Sequence, residues 1–80
     1  MSSYRKSWLK VLKDQNIPGW SIGEHGQAIV IKVDLSIDLE ALKNEFPQKI
    51  ENLKGQVSEE TQWLKFILYN GQSWFQYVIE

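Results

Sequence analysis

The stretch WLKFILYNGQSWFQYVIE, residues 63–80, constrains the fold more than any other part of the chain. Asn70-Gly71 sits between two runs rich in aromatic and β-branched residues, and these two residue types adopt the positive φ that both central positions of a type I′ turn require. A hairpin with a two-residue loop follows, and such a loop sets register: Tyr69 opposite Gln72, Ile67 opposite Trp74, Trp63 opposite Val78. Side chains alternate along each strand, so the faces sort themselves. One carries Leu64, Phe66, Leu68, Phe75, Tyr77 and Ile79; the other carries Trp63, Lys65, Ile67, Tyr69, Gln72, Trp74, Gln76 and Val78.

The remaining elements are read from periodicity. Over residues 4–15, Tyr4, Trp8, Val11 and Leu12 share one arc of a helical wheel while Lys6, Lys10 and Lys13 lie opposite, so an amphipathic helix is expected, capped by Ser2 or Ser3. Pro18 and Gly19 end it. The segment WSIGEHGQAIVIKVDL (20–35) reads as a hairpin, with strands at 20–23 and 27–35, a turn at Gly23–Gly26, and a core face of Ile29, Ile31, Val33 and Leu35. In residues 38–54 the stripe Leu39, Leu42, Phe46, Ile50, Leu53 keeps helical phase straight through Pro47. Asp38 fits the N-cap, Ile37 and Leu42 fit the flanking hydrophobic staple, Gly55 fits the position after the helix, and Pro47 predicts a kink or two shorter helices. Residues 56–62 are polar and turn-like, with a brief strand conceivable at Val57.

The expected fold class is therefore α+β in the order α-β-β-α-β-β. A four-stranded, mostly antiparallel sheet built from two hairpins packs with two helices in a single domain spanning residues 1–80. Two layers result if both helices share the core face, three if the N-terminal helix covers the second face.

That second face is where function is sought. A two-layer antiparallel protein normally wets its outer face with polar side chains. Here Trp63, Ile67, Tyr69, Trp74 and Val78, with Lys65 among them and Val30 extending them, form a patch larger than soluble monomers leave open. Three covers are expected to compete: the first helix, a protein partner or second copy of the chain, and a nucleic acid or small ligand. Tryptophan and tyrosine anchor protein interfaces. They also stack on the bases of single strands, with lysines, here Lys32 and Lys65, meeting phosphates. The chain's net charge of −1 and pI of about 5.8 disfavour the nucleic acid.

Other chemistries find little support in the residues. With no cysteine, thiol nucleophiles, disulfides and thiolate metal sites are excluded. His25 is a lone histidine in a turn, and the five glycines are dispersed, so neither a catalytic base nor a phosphate loop is indicated. Asp34, Asp38 and Glu40 gather at a strand-to-helix junction, where capping explains them better than a cation does. No cofactor or metal is expected, and the chain is read as non-catalytic. Residues 1–13 carry +4 and residues 14–80 carry −5, making the face of Lys6, Lys10 and Lys13 a candidate for an acidic partner or for simple attraction to the rest of the domain. No run approaches the ~18 apolar residues of a membrane span, and the N-terminus lacks a secretory pattern, so a cytoplasmic location is the default expectation. The leading expectation is a small protein–protein interaction module, homodimeric or binding another protein through the aromatic sheet face or an exposed strand edge. The alternative is a single-stranded nucleic-acid-binding domain using the same aromatics.

Overall fold

The computed structural model describes residues 3–57 and 60–79. Two helices and a four-stranded mixed sheet appear in the order α-β-β-α-β-β. Helix α1 (Ser3–Asp14) buries Tyr4, Trp8, Val11 and Leu12, one residue per turn or nearly so, while Lys6, Lys10 and Lys13 are exposed. Ser2, one of the two expected caps, lies outside the described residues. The helix closes by tightening: the amides of Gln15 and Asn16 donate to the carbonyls of Leu12 and Lys13, both at 3.2 Å, and Asn16 takes a left-handed φ of 50°.

Strands β1 (Trp20–His25) and β2 (Ala28–Val33) form the first hairpin, paired from Trp20 with Val33 to His25 with Ala28. The turn is thus Gly26-Gln27 and not Gly23–Gly26 as the sequence suggests. Gly26 supplies the positive φ, 61°, that a tight loop needs, and Gly23 stays inside the strand. Leu35 is the larger correction. Expected on the core face, it is 57% exposed, because β2 ends at Val33 and alternation stops with it. The Asp34 amide turns back to the Gly19 carbonyl at 2.8 Å, and the Asp34 carboxylate accepts from the Ser36 amide at 2.9 Å and hydroxyl at 2.8 Å.

Helix α2 (Leu39–Leu53) starts at Asp38, whose side chain accepts from the Glu40 amide at 3.0 Å. It buries Leu42, Phe46, Ile50 and Leu53 and runs as one helix through Pro47, which stays exposed. Its end departs from the expected glycine stop: a 3-10 turn, Lys54–Gln56, follows directly, and Gly55 is not left-handed. Val57 is buried against the core without joining a strand, and residues 58 and 59 of the polar turn lie outside the described residues.

The second hairpin, β3 (Leu64–Tyr69) and β4 (Trp74–Ile79), corrects the predicted register. Tyr69 pairs with Trp74, Ile67 with Gln76 and Lys65 with Val78. The loop sits one residue later than expected, with Asn70 facing Ser73 and Gly71 (φ 94°) first of the two central residues. The Asn70 side chain accepts from the amides of Gln72 and Ser73, both at 2.9 Å, and so takes over the closing bond of the turn. Moving the loop by one residue moves the pairing by two, and a shift of two leaves every side chain on its predicted face.

The strands lie in the order β1-β2-β3-β4. Both hairpins are antiparallel, whereas β2 and β3 run parallel, Ile29 beside Phe66 and Ile31 beside Leu68. A parallel pair needs a long crossover, which α2 provides. One apolar cluster collects residues of both helices together with Ile29, Ile31, Val33, Leu64, Phe66 and Leu68. At its centre Phe66 receives Trp8 edge-on at 5.6 Å and Phe46 edge-on at 5.5 Å. Tyr4 and Trp8 are buried with their hydroxyl and indole N–H lacking a hydrogen-bond partner among the described residues.

Candidate functional site

The register of three strand pairs assembles the second sheet face into rows. Ser21, Lys32, Tyr69 and Trp74 form one row across all four strands. Gly23, Val30, Ile67 and Gln76 form the next, and His25, Ala28, Lys65 and Val78 the third. Trp63 immediately precedes β3, outside the paired strands. The strand registers bring Lys65, Ile67, Tyr69, Trp74 and Val78 onto one face, and Trp63 adjoins the start of β3.

Its exposure is uneven. Trp63 is 51% and Trp74 65% exposed, while Lys65, Ile67, Tyr69 and Val78 are half-buried by their cross-strand neighbours. A groove of about 590 Å³ opens over Gly23, Val30, Lys32, Ile67 and Tyr69. A second hollow of about 420 Å³ adjoins it, between Ile67, Tyr69, the Gly71–Ser73 turn and Trp74. A side chain added at Gly23 would touch nothing within 4 Å, so the glycine deepens the groove without being required by the packing of its own chain.

Sequence reasoning places Lys32 on this face but does not single out Ser21 or Gly23. Once the first turn is taken as Gly26-Gln27, alternation alone places Ser21 and Gly23 beside the predicted patch, so the signal existed and was obscured by the two glycines of the GEHG segment. Gln76 likewise stands at the centre of the outer strand, where its polarity gave no cue.

The charged groups are mostly elsewhere. Lys6, Lys10 and Lys13 are exposed on α1 and distant in sequence position from the patch strands. Arg5 on α1 pairs with Glu24 on β1 at 2.8 Å, one instance of the basic N-terminal segment attracting the acidic remainder. Lys49 of α2 stands 6.0 Å from the centre of the Trp20 ring. Asp34 and Asp38 are both engaged as local caps. The Ser36 amide, and after it the Ser36 hydroxyl, holds the Asp34 carboxyl below the ordinary carboxylate range. Among the described residues no group of three histidine, aspartate or glutamate side chains is placed to hold a metal ion. No described helix is long and apolar enough to cross a membrane. Neither a family model, nor a curated protein, nor a solved structure matches this chain.

Proposed function

We propose that this chain is a non-catalytic interaction module that works by protein–protein contact through the second sheet face or an exposed strand edge, with another protein or a second copy of itself as partner. The observation that carries this reading is Trp74, 65% exposed at the end of a strand row it shares with Tyr69. A large aromatic side chain left in water forgoes about 1.5–3 kcal/mol of burial, which a partner would recover. Trp8 of α1 and Phe46 of α2 both meet Phe66 on the opposite face, which supports a two-layer arrangement in which neither helix covers Trp74. Tryptophan and tyrosine beside a shallow apolar groove are the residue types on which interface energy concentrates.

One further observation favours the nucleic-acid reading as second choice: Lys32, Tyr69 and Trp74 share a row, so a cation and two rings face the same way. The two differ in salt response, since phosphate contacts weaken steeply with added salt and an apolar protein contact does not. The direct test is Trp74→Glu, followed by light scattering on a sizing column over a wide concentration range and by thermal melting. The expected result is a cooperative melt within about 0.5 kcal/mol of the parent, as for a surface position, together with loss of any mass above 9.4 kDa that the parent shows. An unfolded variant would mean that Trp74 is covered within its own chain, and the reading would fall.

A further inference from the structure

We infer that the partner is a second copy of this chain, joined edge to edge through β4 in an antiparallel register centred on Gln76. This inference rests on the interaction-module reading above and narrows it to one occupant and one geometry.

The two edges of the sheet are unlike. β1 carries Glu24 and His25, and Glu24 is tied to Arg5 across the strand's flank, so this edge holds the charges by which natural sheets discourage pairing. β4 holds none. From Phe66 to Ile79 no residue is charged, β4 contains neither proline nor bulge, and its pairing with β3 is unbroken over six residues. A neutral, regular, aromatic edge is the kind that takes another strand.

Its polar groups are arranged for a copy of itself. The Asn70 amide donates to the Ser73 carbonyl at 3.1 Å, which sets the phase of the β3–β4 ladder. By antiparallel alternation Phe75, Tyr77 and Ile79 turn their amides and carbonyls toward β3, while Trp74, Gln76 and Val78 turn theirs to the free edge. Two such edges related by a two-fold axis at Gln76 place Gln76 opposite Gln76 of the second copy. Trp74 then falls opposite Val78 of the second copy, and the reverse. Every outward amide meets an outward carbonyl. On the helix side of the sheet the half-buried Phe75 falls opposite Tyr77 of the second copy, so apolar contact forms on both faces of the seam. The pairing is isologous and consumes both β4 edges, leaving the charged β1 edges outermost, so it closes as a dimer instead of growing into a fibre.

The chain has no cysteine, which makes single-cysteine cross-linking a register test. Gln76→Cys puts two thiols directly opposite each other at a separation that a disulfide spans. Val78→Cys puts them four residues apart along the paired strands, roughly 14 Å, beyond its reach. Under mild oxidation of the full chain, Gln76→Cys is expected to form a covalent dimer of twice 9.4 kDa at least about tenfold faster than Val78→Cys. Independently, Gln76→Lys sets two ammonium groups face to face on the axis and is expected to scatter as a monomer with an unchanged circular dichroism spectrum. A parent dimer in which Val78→Cys cross-links as fast as Gln76→Cys overturns this register and leaves the face reading standing. A parent that is monomeric at every concentration, with no preference between the two cysteines, overturns self-pairing altogether. Neither result is the unfolding of Trp74→Glu, which would overturn the face reading itself.

Discussion

Trp8 is wholly buried and meets both Tyr4 and Phe66 edge-on, so it links the first helix to the centre of the sheet. Its polar N–H contributes nothing visible to that attachment, and neither does the Tyr4 hydroxyl, since neither finds a partner among the described residues. Shape and polarity are therefore separable here. Tyr4→Phe keeps the ring and deletes only the hydroxyl, and its stability is expected within about 1 kcal/mol of the parent, on either side. Trp8→Ala removes the ring itself and is expected to cost about 3–5 kcal/mol by urea unfolding. A large loss in Tyr4→Phe would mean that the hydroxyl is bonded after all. The burial of both residues was legible from their helical spacing, whereas the missing partners were not, because a hydrogen bond depends on atoms that only the assembled core brings near.

At the scale of elements, two glycines in neighbouring segments have opposite reasons to exist. Gly19 has φ 81°, and a Cβ there would stand 3.1 Å from Cδ1 of Ile37, next to the segment that starts α2. Gly23 lies in β1 without a left-handed φ and with nothing within 4 Å of its would-be Cβ. Gly19→Ala is expected to destabilise by about 1–2 kcal/mol, the cost of a left-handed residue with a side chain. Gly23→Ala is expected to stabilise by about 0.4–1 kcal/mol, through a less free unfolded chain. Thermal melts of the two variants check the signs, and destabilisation by Gly23→Ala would show that the strand needs its glycine. The same contrast explains what could be read in advance. The faces of β3 and β4 survived a misplaced loop because parity, not register, decides them. Leu35 was misplaced because alternation was carried past Val33, where the Asp34 turn had already ended the strand. The parallel pairing of β2 with β3 had no local signal at all, since it depends on where the α2 crossover lays the chain down.

For the whole molecule, the decisive division is that one core is shared by two helices. Tyr4, Trp8, Val11 and Leu12 of α1 are each at most 9% exposed, and Trp8 and Phe46 arrive on the same phenylalanine from different helices. A chain of 80 residues has a net stability of about 4–12 kcal/mol. Each large apolar side chain of α1 contributes about 1.5–3 kcal/mol by burial, so the four together are comparable with the entire margin. The basic face of Lys6, Lys10 and Lys13 then travels with a helix the fold cannot release, which argues against a detachable arm that swings out to an acidic partner. Deleting residues 1–15 decides the matter. The truncated chain is expected to lose its cooperative thermal transition by circular dichroism, and with it the sheet edge that the proposed self-pairing uses. A truncated chain that still melts cooperatively near the parent temperature would mean that β1–β4 and α2 suffice, and that α1 is free to leave the core and present its lysines.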